Sequence, residues 1–492
     1  MQDIDSTTSE IGYVQIFGWA LLYLILVAAL QLQIPYPFDS DTAYHAVVGQ
    51  LTRKHGILYY FPWTPFSLLA DRYADKELLF HLLFVPFAWL NWTTASQIVG
   101  TISGAAILFA LYLILRAEKV QYAGWWPIVL VTSSVLFLFR FVLVRPHLLS
   151  ITLALIILWA ATRNKLIILA IASAIFPLAY VAFWQIPLLL LLAVETSRYL
   201  SGNRILWKPA IVVFFGILTG LAFHPNTTNL LAVNWMHMAD VLFKSSWGGR
   251  TGFDLGEEFK PYPLAGWIQG LMFNVIMLIV AIIYAWRNRK ENYTPLVFTL
   301  TALGFCILTI KSARFAEYFV PFSVAAIALS IQSTEKKRFL CFIPIAVIGV
   351  TVTWMTWVQP NMIKNWREWP NDMQPNVAAF LQSNIPPGAQ VFTPDWDRTG
   401  LLMLTLPDRR FMVQLDPTFF YIKNPELYRL WFQICHDAPV GSAEMIRKRF
   451  GARYVLGYNL PNWKKLFDKL SQEKDVRALL VSDTWVLYDL GP

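Results

Sequence analysis

Charge is the first thing this sequence lacks. Asp, Glu, Lys and Arg make up only 14% of its 492 residues, 56% are apolar, and the mean hydropathy is +0.48. A soluble domain carries charge on about a quarter of its residues, so a water-soluble globular protein is excluded and the bilayer is the solvent. Cysteine is almost absent. Cys306 and Cys341 lie inside apolar runs and Cys435 stands alone in the polar C-terminal part, which excludes a disulfide framework or a cysteine metal site. The C-terminal part also lacks a Gly-rich phosphate loop, a nucleophile elbow and any metal-ligand spacing. A signal peptide is missing too: the first ten residues are polar and acidic, without a basic start or a small-residue cleavage site, so the first apolar stretch is expected to stay as a helix.

What is present is a succession of apolar runs from Ile11 to Val358, followed by 134 residues of ordinary soluble composition. Covering ~30 Å of hydrocarbon takes about 20 residues of helix. Spans are expected near 11–33, 96–115, 123–141, 147–162, 165–181, 183–196, 209–223, 264–286, 294–310, 315–332 and 338–358. The reading is a polytopic α-helical membrane protein of about eleven spans (residues 1–358) and a small α/β domain (359–492). Only +2 of the +9 net charge belongs to the second part. The rest sits in short clusters between spans, at Arg116/Lys119, Arg163/Lys165, Arg198/Arg204/Lys208, Arg287/Arg289/Lys290 and Lys336/Lys337/Arg338. Such clusters mark cytoplasmic loops; they form no continuous patch of the kind that binds nucleic acid. With the N-terminus inside, eleven spans put all five clusters in the cytoplasm and the C-terminal domain outside. The apolar run Leu78–Leu90 is only thirteen residues and contains His81 and Pro86, so it is expected to lie in the outer interface rather than cross.

That arrangement gathers the polar chemistry on the outer face, in residues 35–77, 224–263 and 359 onward, with all seven histidines there or at outer helix ends. In the first outer loop, Asp39 or Ser40 caps a short helix that Gly56 stops. Asp41 and His45 are one turn apart and share a face, while Ala43, Val47 and Leu51 can rest on membrane or protein. Two readings of the acids stay open. Asp39 and Asp41 complement a helix N-terminus; yet two carboxylates beside the headgroups, joined by Asp71, Asp75 and Glu77, exceed what capping requires.

Four segments carry a family resemblance: Asp39-Ser-Asp41-Thr-Ala-Tyr-His45, Asp75-Lys-Glu77-Leu-Leu-Phe-His81, Arg145-Pro146-His147 between two spans, and Ser312-Ala-Arg314-Phe-Ala-Glu317-Tyr at the start of the tenth. Their order and shared outer placement resemble the type C glycosyltransferase superfamily, which includes the protein O-mannosyltransferases and the lipid A aminoarabinose transferases. The resemblance implies a sugar donor carried on a polyprenyl phosphate and a glycan, lipid or protein acceptor. It makes Asp41, with Asp39, the catalytic carboxylates, Asp41 acting as the base on an acceptor hydroxyl in a one-step inverting displacement. Arg145, His147, Lys311 and Arg314 become the groups that meet the departing phosphate, and His45, Asp75, Glu77 and Glu257 further site candidates. Anchoring of the cations in headgroups, or an Arg314–Glu317 pair, stands beside that reading. No cofactor is certain. A divalent cation, Mg or Mn, suits Asp39, Asp41, Glu77 and Glu257 if they converge.

In the C-terminal domain, helical patterns (377–383, 425–435, 442–450, 463–470) alternate with strand-like runs (390–393, 411–414, 454–456, 479–482, 485–488). Asp395-Trp396-Asp397 reads as a turn with solvated acids. The competing functions are a transporter, against which no internal repeat is found, another lipid-linked glycan enzyme such as a ligase or polymerase, and a membrane anchor for partner proteins. The expected location is a bacterial inner membrane.

Overall fold

The computed structural model describes residues 3–34, 39–239, 259–332, 364, 373–414 and 416–491. The eleventh expected span, Glu257 and the boundary at 358/359 lie outside these. The membrane part contains α1 (Asp3–Leu32), α2 (Ser40–His55), α3 (Leu78–Phe84), α4 (Trp92–Ala117), α5 (Trp126–Thr132), α6 (Val135–Val142), α7 (His147–Thr162), α8 (Leu166–Ala179), α9 (Gln185–Leu200), α10 (Lys208–Phe223) and α11 (Thr227–Met236). It continues with α12 (Leu264–Arg287), α13 (Thr294–Lys311) and α14 (Ala316–Gln332). Five of these, α1, α4, α12, α13 and the stretch Ala313–Gln332 that includes α14, are long and apolar enough to cross a bilayer; the count is up to seven if each bent pair, α6 with α7 and α10 with α11, is one span.

One expected span is not a straight rod. The run at 123–141 is two helices, α5 and α6, because Ser134 caps α6: its hydroxyl accepts from Phe137 N–H and donates to the Gly270 carbonyl at 2.6 Å. Hydrogen bonds that a break frees inside a membrane must be satisfied by neighbouring protein, and Asn274 completes this knot by donating to the hydroxyls of Ser133 and Ser323. Chain direction then turns by 113° between α6 and α7. The run after Glu77 forms a helix only over Leu78–Phe87. At 1.5 Å per residue it rises roughly 15 Å, half the hydrocarbon thickness.

The bundle core is a single apolar cluster drawn from α1, α4 to α10 and α12 to α14, while Phe17, Ile25, Phe214, Phe215 and Ile279 face outward, as lipid-facing side chains do. α8 and α10 approach through small residues: a Cβ on Gly216 would come within 2.8 Å of Ser173 Cβ, and one on Gly220 would overlap the Ala174 carbonyl. Spaced four apart, the two glycines let backbones touch where lipid offers no hydrophobic drive for association.

The C-terminal domain is a four-stranded sheet of order β1 (Val391–Phe392), β2 (Tyr454–Tyr458), β4 (Trp485–Asp489), β3 (Arg477–Val481), with β1 parallel to β2 and the other pairs antiparallel. Helices cover it: α15 (Pro375–Asn384), α16 (Thr399–Thr405), α17 (Thr418–Lys423), α18 (Pro425–Asp437), α19 (Ser442–Phe450) and α20 (Lys464–Leu470). The run at 411–414 forms no strand; residue 410 makes only an isolated bridge with Gln390. Its backbone is used elsewhere, Phe411 N–H donating to the Trp63 carbonyl in the first loop.

Replacing Gly220 with Val is expected to lower the melting temperature of the detergent-purified protein, by an overpacking cost of roughly 1–3 kcal/mol. A wild-type melting curve would mean that α8 and α10 do not touch there.

Candidate functional site

The site is built around α2, which stands at one end of the bundle against the C-terminal domain. Asp39 is its N-cap and accepts from Thr42 N–H at 3.1 Å, while Gly56, at φ 75°, ends it by donating to the Thr52 carbonyl. Sequence spacing predicted both. Ala43, Val47 and Leu51 are buried in one core with Val391, Leu401, Leu402 and Leu456 of the C-terminal domain. The apolar face of α2 therefore meets protein rather than lipid, and a Cβ on Gly400 would lie 2.6 Å from Tyr44 N. Further along the loop, the Trp63 indole donates to the Pro407 carbonyl, and Lys423 reaches the Pro65 carbonyl and Asp71 at 2.9 and 2.6 Å. The first loop and the C-terminal domain thus lie on the same side of the bundle.

Arg145 occupies the centre. It projects from the turn between α6 and α7, its Nε 2.9 Å from Asp39 Oδ2, its Nη2 on Asp39 Oδ1, and its Nη1 2.8 Å from Asp41 Oδ2. Asp39 is buried and Asp41 keeps 27% side-chain exposure. Burial alone would raise the Asp39 carboxyl; the Arg145 charge, with the hydrogen bonds from Arg145 and Thr42, overcomes it and holds the group below its ordinary value. Capping and pairing divide between the two acids: Asp39 takes the helix terminus and two guanidinium bonds, and Asp41 takes the third arm and stays the more exposed.

Beneath lies a second ion pair that the sequence reading missed. Arg140 donates through Nε to Glu317 Oε1 at 2.6 Å, both side chains buried, and the Arg140 carbonyl accepts from His147 Nε2 at 2.9 Å. Glu317 is held by Arg140, while Arg314 donates to the Tyr180 hydroxyl at 3.1 Å and lies over the Phe259 ring. The available signal was an arginine inside an apolar run, which demands an internal partner. Lys311 closes α13 at the same end. Lys76, also overlooked, lies with Arg314 within electrostatic reach of His237, and with Arg145 within reach of His45. His237 in turn faces Asp416 of the C-terminal domain at 3.6 Å.

The remaining acids belong to a different cluster. Asp75 accepts from His81 Nδ1 at 2.7 and 2.8 Å and caps the Glu77 N–H; His81 Nε2 meets His45 Nδ1 at 2.8 Å. Burial, and then His81, push the His45 pKa well below its ordinary value, so this imidazole is neutral. A hard cation on Asp39, Asp41, Glu77 and Glu257 does not fit the described residues: Arg145 holds the first two, Glu77 faces His45, and Glu257 lies outside. Another expectation is corrected in the C-terminal domain. Asp395 and Asp397 are not solvated; burial, and then the neighbouring Asp397, raise Asp395 to about 7, because Trp463 and its neighbours close over the turn.

No protein-family model matches the sequence, and no characterised protein matches it in sequence. Solved structures do match the fold. The archaeal oligosaccharyltransferase AglB from Archaeoglobus fulgidus, in complex with an inhibitory peptide and a dolichol-phosphate, aligns at TM-score 0.56 and 12% identity over 89% of this chain and 69% of its own. ArnT from Cupriavidus metallidurans, bound to undecaprenyl phosphate, aligns at 0.56 and 10% over 96% and 98%. The arabinofuranosyltransferase AftD from Mycobacteria aligns at 0.55 and 12% over 96% of this chain but 40% of its own. The chain therefore has the fold of the type C glycosyltransferases that its four motifs resemble.

Arg145→Gln would leave the Asp39 carboxylate buried without its cation, at a cost of about 3–5 kcal/mol, read as a lower melting temperature. Adding Asp39→Asn should restore part of the loss. Because the folded pKa of Asp39 is depressed, its contribution is full above the unfolded value near ~4 and is lost as pH falls through the lower folded value. The Arg145→Gln deficit should shrink over that window; a deficit that does not change with pH would refute the pairing.

Proposed function

We propose that this chain is a membrane glycosyltransferase that moves a sugar, hexosyl or pentosyl, from a polyprenyl phosphate carrier to an acceptor hydroxyl on the non-cytoplasmic face. The observation that carries the reading is the Asp41–Arg145 contact, with Asp41 27% exposed on the first turn of α2. In this reading Asp41 accepts the proton of a hydroxyl brought within hydrogen-bond reach. The acceptor oxygen attacks the anomeric carbon, the bond from that carbon to the phosphate oxygen breaks, and the electron pair leaves with the polyprenyl phosphate. The displacement is one step and inverts the anomeric centre.

Negative charge grows on the phosphate oxygens as that bond breaks, and cations aimed at it lower the barrier. Lys76, Arg314, Lys311 and Arg145 supply that field in this reading, while His147, expected from the sequence to meet the phosphate, gives its ring N–H to the Arg140 carbonyl and steadies the turn that carries Arg145. Arg140 and Glu317 act as positioning residues, fixing the turn that presents Arg145. The fold shared with AglB, described with a dolichol-phosphate, and ArnT, bound to undecaprenyl phosphate, supports a lipid-phosphate donor. The finer assignments are part of the same proposal: eleven spans, a boundary near 358/359, a cytoplasmic N-terminus, a C-terminal domain that covers the site and binds acceptor, and a bacterial inner membrane.

A ligase or polymerase of lipid-linked glycans would instead depend on Arg145 and His147 rather than on Asp41, and a transporter would need neither. Asp41→Asn is therefore expected to abolish turnover of lipid-linked sugars, at least 10³-fold below wild type on the scale of a lost general base (roughly 10²–10⁴), while undecaprenyl phosphate still binds. Full activity would remove Asp41 from the mechanism. Single cysteines at exposed positions of the first loop and of the C-terminal domain should both react with an impermeant thiol reagent from the outer face; labelling from opposite faces would end the shared-site reading.

A further inference from the structure

The hard-cation set implied by the family resemblance does not converge, yet a different set does. His45 on α2 and Glu77 and His81 at the start of α3 each offer one ligand atom, and the three atoms lie within 4.8 Å of one another, all buried. We propose that His45 Nδ1, Glu77 Oε2 and His81 Nε2 hold a borderline transition-metal ion of the zinc type, oriented by Asp75, which pins α2 to α3. This goes beyond the transferase reading and does not depend on it.

Three observations point to an ion. First, spacing. Around a tetrahedral zinc with ligands at about 2.0–2.1 Å, neighbouring donor atoms are roughly 3.3 Å apart. The two histidine nitrogens are 2.8 Å apart and His45 Nδ1 is 4.0 Å from Glu77 Oε2, so the observed distances bracket that value. Second, the neighbouring shell. Metal-bound histidines typically give their other ring N–H to a carboxylate, which fixes the tautomer; His81 Nδ1 does this to both oxygens of Asp75 at 2.7 and 2.8 Å. That leaves the lone pair of Nε2 facing His45. Third, an orphan. Glu77 Oε2 is buried and has no hydrogen-bond partner, and Lys76 reaches only the other oxygen, at 3.8 Å.

A hydrogen bond between two neutral imidazoles accounts for the histidine pair alone. It leaves the buried Glu77 oxygen without a partner, so the desolvation of that atom is offset by nothing. Donor chemistry selects the ion. Two imidazoles with one carboxylate suit zinc and its neighbours, whereas magnesium and calcium take oxygen ligands almost exclusively. The consequence for the site is positional. His45 is one turn after Asp41 and Glu77 adjoins Lys76, so an ion that locks α2 to α3 sets where the carboxylate and the cation stand relative to each other.

The test uses the full chain in nanodiscs, stripped with a chelator, dialysed against Zn²⁺, and assayed for bound metal by mass spectrometry. Wild type should retain about one equivalent and melt higher with zinc than without; Co²⁺ in its place should give the visible absorption of a tetrahedral site. His81→Ala and Glu77→Gln should lose the equivalent. Asp75→Asn should keep it with about 10- to 100-fold weaker affinity. His81→Gln, closer in size, covers the case in which the alanine variant fails to fold. Asp41→Asn should retain full zinc, and a wild-type protein that holds its zinc yet turns over no lipid-linked sugar would overturn the transferase reading while leaving this one intact. Wild type binding no more zinc than His81→Gln, or zinc lost on Asp41→Asn and kept on His81→Gln, would overturn the proposal.

Discussion

Arg145 is the tie on which the outer half of the molecule depends. Its guanidinium is planar and presents its donors in a fixed fork, and here two arms grip Asp39 while the third meets Asp41. Because Asp39 is also the N-cap of α2, one side chain from the bundle sets both where that helix begins and which way its first turn faces. A buried carboxylate without this partner would neutralise or drag water inward; with it, charge can persist at the lipid headgroup level. Below, the Arg140–Glu317 pair anchors the α6 end of the same turn to α14. Two nested ion pairs therefore hold one short loop.

The second constraint is the shared apolar core between α2 and the C-terminal domain. An interfacial helix could have spent its apolar face on lipid. Instead it is covered by α16, whose Gly400 allows the two backbones to approach. The C-terminal domain is thereby part of the site's wall, and its Asp416 faces His237 of the membrane part. Lys423, capping carbonyls of the first loop and pairing with Asp71, closes the same junction from the far side.

These contacts also separate the competing functions. A transport path needs polar groups along the middle of the spans. The polar knot of Ser133, Ser134, Asn274 and Ser323 is instead bonded within the protein, apart from Asn274 Oδ1, and serves to break one span. The clustered acids, cations and imidazoles gather at one end of the bundle. Such an arrangement suits chemistry on a carrier that stays in the membrane.

By itself the sequence determined the solvent and the helices. A helix satisfies its backbone within four residues and lipid rewards unbroken apolar length, so α1, α4, α12 and α13 could be read from local windows, as could the cap at Asp39 and the stop at Gly56. The same locality recovered four of the C-terminal helices and the strands around Val391, Tyr454, Leu480 and Trp485. Tertiary structure alone decided the partners. Arg145 finds Asp39 across 106 residues and Arg140 finds Glu317 across 177, and His45 meets His81 because α2 and α3 pack, not because of any spacing between them. Electrostatic satisfaction depends on which opposite charge the fold brings within a few ångströms, and that distance has no period along the chain.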